Sequence, residues 1–437
     1  MTKKFGFDLS GRRSMQADRA YGSPGWATQN YYLDPVSGND DNDGRSAGSP
    51  IQTFDHYWNN ILPDVVMQSH TLTMAEGVVS VSGTYAQKQL LGTASLRFQG
   101  DTTGFDFTGS GGPLSVSSGS SGVMTFSPSP GWVTNTHAGR MIYNHTKGYM
   151  AYVFRNTADT LYLYYGYSVS ASDSVEWCKF KTSIDGYWDI RVIGGDPGLN
   201  AVRFNDLNLT GFSKTFFGDV EFRFDYVCSE QNLAVWGTAM GWRMPAFDFY
   251  DSCVKGRLLV QSCIFDAEYP CVTGGLQLYG CDLQSYYMDG KFLGSGYDPA
   301  IKLYRCDCLE EDGFGDIEVD PNGNDIAIDI KNCPLVRLYR DLNITNPGAN
   351  GIRVQNSQLV VSHNGLSGAP TSYGVILRHG SRLRLKSFVI PTLNGGTADI
   401  YDGSGTSTWA AVQGGTPLVN TNEMTSAVLD TIALEDE

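Results

Sequence analysis

Asp282 and Asp307 are the side chains of this sequence whose spacing suits chemistry. Each follows a cysteine that an alternating strand would turn inward, so each carboxylate turns outward. If Cys281 and Cys306 hold equivalent places on stacked strands, the two carboxylates stand roughly 5 Å apart. That matches the ~5–5.5 Å pair of a retaining glycosidase, and like charges so close raise one pKa, as an acid/base pair requires. Glu310 is the nearest substitute, with Glu311, Asp312 and Asp316 close by in sequence. Trp236, Trp242, Tyr250, Tyr286, Tyr287 and Tyr297 flank the region, and exposed rings can stack on sugar faces. The competing reading makes the carboxylates a solvated face or subunit contact and the tyrosines braces for loops.

Other chemistries fit the sequence less well. Asn39–Gly44 has the composition of a calcium loop, but Pro50 occupies the place of the bidentate glutamate and no helix precedes it. It reads as a turn. Gly44-Arg45-Ser46-Ala47-Gly48 spells G-x-S-x-G inside that same turn cluster, without the strand and helix of a nucleophile elbow. The six histidines contain no close pair, and no phosphate- or dinucleotide-binding glycine pattern occurs. Cys281, Cys306, Cys308 and Cys333 read as an interior column of small hydrophobes rather than metal ligands. Neither metal nor cofactor is expected.

The elements that must position this pair follow from a repeat. Ile301/Leu303 and Cys306/Cys308 each alternate with period 2, and the parity breaks between them, so the chain turns a corner onto a new strand facing the same core. The template recurs at Val202/Phe204/Leu207/Leu209, Leu276/Leu278/Cys281/Leu283, Ile328/Ile330/Cys333/Leu335 and Ile352/Val354/Ser357/Leu359. Val375/Leu377/Ser381/Leu383 adds one corner residue, His379-Gly380. The residues before the second strand are Asp206, Gly280, Arg305, Asn332 and Asn356, four of them tolerant of a left-handed corner. Corners at 281, 306, 333, 357 and 381 give a period near 25. Cys228 and Cys253 extend the comb, whereas Cys263 fits the local template better, and the choice between Cys253 and Cys263 stays open. Short strands at this period, without helices, predict a parallel β-helix whose stacked coils supply the core that one coil cannot.

Composition agrees. The 437 residues are 41% hydrophobic, enough for a large core, while 51 glycines supply turns. A net charge of −15 repels nucleic-acid backbones and anionic membrane surfaces. No apolar run is long enough to span or insert into a membrane, and the basic N-terminus lacks a secretory apolar stretch, so folding in a cytosol with nine free cysteines is expected. The organisation reads as an arm over 1–30, a cap over 31–69 with a short helix from Phe54 to Ile61, first coils over 70–111, an aromatic-rich antiparallel insertion over 112–183, the main β-helix over 184–410, and a tail over 411–437.

Two stretches carry a resemblance. Tyr32–Gly44 followed by Pro50-Ile51-Gln52-Thr53-Phe54 resembles the opening segment of pectate-lyase-like right-handed β-helix proteins, many of them bacteriophage tailspikes and related virion proteins. His137-Ala138-Gly139-Arg140 and Asn156-Thr157-Ala158-Asp159-Thr160-Leu161 resemble a small β module recurrent in phage structural proteins. The resemblance implies a right-handed winding, a homotrimer, and a virion spike made in the host cytoplasm, joined to other virion proteins by its N-terminal arm. On that reading the spike contacts host surface polysaccharide, with or without cleaving it; if it cleaves, the carboxylates singled out above, Asp282, Asp307 or Glu310, are the candidates. The alternatives are a non-enzymatic head spike or decoration protein, and a cellular polysaccharide lyase or hydrolase.

Overall fold

The structure is a computed structural model. It describes residues 28–411 except 109, 165, 195–198, 239–243, 285–287, 295–298, 309–312, 323–324, 339–341, 346–349, 363–365, 369–371, 387–391, 394–397 and 403–407. Most of the expected N-terminal arm and C-terminal tail therefore lie outside the described residues.

The chain winds as a right-handed parallel β-helix, with 33 strands among the described residues joined in one parallel hydrogen-bonded system. Each complete coil contributes to three faces, here A, B and C. Face A stacks Gln29–Leu33, His70–Met74, Ser95–Gln99, residues 201–205 and 221–225, Ala246–Tyr250, Ile264–Glu268, Asp282–Leu283, Asp307–Cys308, Val336–Leu338, Gln358–Ser362, Arg382–Lys386 and Thr408–Ala411. Face B includes Leu258–Gln261, Leu276–Tyr279, Ile301–Tyr304 and Ile326–Lys331. Face C includes residues 227–229, Cys253–Val254, Cys271–Val272 and 291–293.

Two corners of the coil use one left-handed residue each. Ser262, Gly280, Arg305, Asn332 and Asn356, with φ of 45 to 59°, turn face B into face A. Asp206, Tyr226, Asp251 and Tyr269, with φ of 40 to 54°, turn face A into face C. The template at Val202/Phe204/Leu207/Leu209 is therefore at a different corner from those at Cys281, Cys306 and Cys333. Both corners obey one local rule, two inward residues, a left-handed hinge and an inward residue, so their patterns look alike. The structure also resolves the cysteine comb. Cys263 begins the column that runs through Cys281, Cys306 and Cys333, whereas Cys228 and Cys253 stack with Cys271 on face C. Coil length varies around the expected 25, because register partners Ala246, Ile264, Asp282, Asp307 and Leu335 step by 18, 18, 25 and 28.

One continuous core runs up the coil interior from Tyr31 to Leu383. Like residues stack coil on coil: Phe98 on Phe204 at 5.3 Å, and Phe204 on Phe224 at 4.7 Å. Burying each ring is worth ~1.5–3 kcal/mol, with ~0.5–1.5 kcal/mol more per ring pair. Residues 54–61 form the expected helix, one α turn (Phe54–His56) running into a π turn (Tyr57–Ile61). Thr53 caps it, and Phe54, Tyr57 and Trp58 plug the open end of the core. The carboxylate of Asp40 accepts from the Gln52 and Thr53 amides and the Thr53 hydroxyl at 2.7–2.9 Å, so this acid ties the turn to the helix start.

The insertion is an eight-stranded antiparallel sheet that leaves the coil between face A and face C, beginning at Phe105 and ending at Phe180. Its Asn156-Thr157-Ala158-Asp159-Thr160 stretch is turn chemistry. Asp159 accepts from the Thr157 and Thr160 hydroxyls, and Asn156 holds the His137 amide at 2.8 Å. The module packs on the outer side of face C, where Cys228, Cys253 and Cys271 enter its core instead of the coil interior.

Candidate functional site

Asp282 and Asp307 are register partners on adjacent coils of face A. The left-handed hinges at Gly280 and Arg305 place Cys281 and Cys306 inward, and alternation then turns both aspartates out, each half-buried between fully buried neighbours. Burial first, and the Asp307 charge second, raise the Asp282 carboxyl above its ordinary range. Asp307 is also raised by burial, against backbone hydrogen bonds from Cys308 and Leu335 and the nearby Arg337 charge. The corner beneath them is a ladder of hydrogen bonds. The Cys306 amide donates to Cys333 Sγ at 3.4 Å, and the Cys333 amide to Ser357 Oγ at 2.9 Å. Burial pushes the Cys263 thiol at the start of this column up to about 12.

The outer side of face A carries more acid than this pair. Asp248 and Asp266 are register partners, as are Asp225 and Tyr250. The Tyr250 hydroxyl donates to Asp266 at 3.0 Å, and Arg223 lies 4.7 Å over the Tyr250 ring while gripping Asp225 at 2.9 and 3.0 Å. Tyr250 thus shares a face with Asp282 and Asp307. Trp236 does not: it stands on face B, stacked on Phe217 at 6.0 Å. Trp242, Tyr286, Tyr287, Tyr297 and Glu310 lie outside the described residues, as do Glu311 and Asp312.

A second group of carboxylates occupies the corner between faces A and C. Asp206, Tyr226 and Asp251 stack there on successive coils, all in the left-handed conformation that this corner of the coil requires. From the module, the Tyr164 hydroxyl donates to Asp251 at 2.9 Å, and Tyr167 stacks on Tyr149 at 4.5 Å alongside. Burial raises the carboxyls of Asp206 and Asp251, and the charge of Asp225 between them adds to both. Sequence reading singled out Asp206 only as a hinge and missed Asp225 and Asp251. The available signal was an Asp or Tyr, rather than Gly or Asn, at a hinge.

No protein-family model matches the chain, and no curated protein matches it. Solved structures similar to it include a GH136 lacto-N-biosidase from Eubacterium ramulus, at 11% identity over 92% of this chain and 70% of that one, with a TM-score of 0.30. The tailspike protein gp49 from Pseudomonas phage LKA1 is similar at 12% identity over 79% and 72%, TM-score 0.15. The Gp54 tailspike of Acinetobacter baumannii bacteriophage AP22, solved with a capsular saccharide, is similar at 8% identity over 78% and 71%, TM-score 0.19. The fold assignment rests on the strand pairing described above, and these scores add nothing about chemistry.

Proposed function

We propose that this protein is a phage virion spike that lays host surface polysaccharide along the outer side of face A and cleaves it. The observation that carries the reading is the register pairing of Asp282 with Asp307, two half-buried carboxyls both held above their ordinary range. One serves as general acid toward the glycosidic oxygen and the other as nucleophile or base, at the roughly 5 Å set by coil stacking. Tyr250 offers a ring on the same face for a neighbouring sugar. The phage assignment is supported by the turn motifs of the opening segment and of the module. It brings with it a pectate-lyase-like homotrimer, attached to the particle through the N-terminal arm.

The test is depolymerisation of host envelope polysaccharide followed by reducing-end release. Asp282→Asn and Asp307→Asn should keep their thermal midpoints near wild type and lose turnover by at least about 100-fold. Retained cleavage in both variants eliminates the pair. Product stereochemistry separates the two candidate carboxylate pairs. Asp206 and Asp251 stand two coil steps apart, roughly 9–10 Å, which suits inversion, whereas the Asp282–Asp307 spacing requires retention. Wild-type protein that binds the polysaccharide without cutting it leaves a non-enzymatic spike.

A further inference from the structure

The module and the coil enclose a cleft of about 160 Å³ on the side of face C, away from the acidic face. In a chain of net charge −15 this cleft gathers Arg140, Lys179 and Lys255 against Asp106 and Glu230. Lys179 is paired with Asp106 at 3.2 Å. Arg140 and Lys255 form no ion pair among the described residues, although Glu230 is close enough for its charge to act on Arg140. The cleft is therefore a cationic place on an acidic protein.

Arg140 is also held ready. Its guanidinium lies 4.4 Å over the Trp177 ring and donates one N–H to His137 Nδ1 at 3.0 Å. His137 stacks on Trp177 at 4.8 Å. Burial, with the Arg140 and Lys255 charges, lowers the His137 pKa, so the ring is neutral and free to accept that bond. The remaining guanidinium donors find no protein acceptor among the described residues. A stacked, half-buried guanidinium with unspent donors matches the planar fork of a carboxylate or the oxygens of a phosphate.

We propose that this seam binds an oxyanion carried by a sugar, a carboxylate or a phosphate, with Arg140 as the fork and Lys255 as the second cation. The site joins module to coil, since Gly139 beside Arg140 presses against Lys255 and Thr273 so closely that a Cβ there would come within 3.0 Å of both. Sugars held here sit apart from face A, so the proposal does not depend on cleavage by Asp282 and Asp307.

Isothermal titration of the full chain with glucuronate, glucose 1-phosphate and glucose tests it. The two anions should bind, more weakly as salt rises, and glucose should not. Arg140→Gln should weaken the anions by at least about tenfold. Lys255→Gln, at an exposed position that keeps the fold, should weaken them several-fold. Asp282→Asn should leave them unchanged, separating this site from the glycan face. Preference for glucuronate over glucose 1-phosphate identifies a uronic acid, and the reverse a sugar phosphate. Equal binding of glucose, absence of anion binding at millimolar concentration, or full affinity in both Arg140→Gln and Lys255→Gln overturns the assignment.

Discussion

Replacing Cys333 asks whether the corner thiols act by volume alone or also as hydrogen-bonding groups. Read from sequence, this column is small apolar filling, so Cys333→Val should be the gentler change and Cys333→Ser the harsher one. The structure reverses the order. Cys333 Sγ accepts the fully buried Cys306 amide at 3.4 Å and donates to the Lys331 carbonyl at 3.4 Å. One coil further on, Ser357 does the same with oxygen, accepting from Cys333 at 2.9 Å and donating to the Gln355 carbonyl at 2.6 Å. Serine at 333 repeats a solution the chain already uses and should cost no more than about 1 kcal/mol. Valine leaves the Cys306 amide without an acceptor, a loss of about 1–3 kcal/mol, partly offset by up to ~0.8 kcal/mol for the added methylene-sized burial. The expected gap is up to about 2 kcal/mol in favour of serine, read from urea unfolding midpoints. Hydrogen exchange at the Cys306 amide should be faster in Cys333→Val and near wild type in Cys333→Ser. A valine variant as stable as serine, with the Cys306 amide still protected, would refute the ladder and restore packing as the whole account.

Three further outcomes are expected. Asp282→Asn should raise stability at pH 7, by no more than about 1 kcal/mol for a half-exposed pair, and leave it unchanged near pH 3. The sign follows from the raised native pKa: the folded state holds its proton more tightly, so stability falls as pH climbs from the unfolded value of 3.8 through the raised one, and melting at both pH values reads it. Tyr164→Phe should cost about 1 kcal/mol and push the Asp251 carboxyl higher, visible in a carboxyl titration by NMR, because it removes a hydrogen bond that favours the charged form. Light scattering at micromolar concentration should give a trimer, and a stable monomer would count against the spike assignment.

The fold was legible where one residue settles the backbone. A hinge at φ 45 to 59° selects Gly, Asn or an isolated exception such as Arg305, and the inward pairs on either side announce the strands. Because stacking carries one coil's register to the next, Asp282 and Asp307 could be paired from sequence alone. What failed was telling one corner from the other, since both obey the same parity rule. Cys228 and Cys253 fell into the wrong column at a tempting spacing, because a thiol looks alike whether it faces the interior or a covering domain. Asp206, Asp225 and Asp251 could not be assembled with Tyr164 because that contact depends on where an insertion leans, which no local period encodes.

That leaning is itself written in one column of face C. Read up the outer side, register partners run Asn208, Cys228, Cys253, Cys271, Lys291, Glu318, Asn343. Only the three consecutive cysteines are apolar, and they are the three whose side chains join the module core. At the next coils the column returns to charge, with Lys291 on Glu318 at 2.7 Å and the module's Arg155 reaching Glu318 at 3.4 Å. A water-exposed column would gain nothing from thiols, so the switch from Cys to Lys marks where the module's apolar contact with face C gives way to charged contact. Further up, the module still meets the coil, with Phe154 beside Leu293 and Asn135 bonded to Asn322, while its Tyr164 reaches the corner at Asp251. These contacts lie on face C, its ends and its corner with face A, not on the face A strands that carry Asp282 and Asp307.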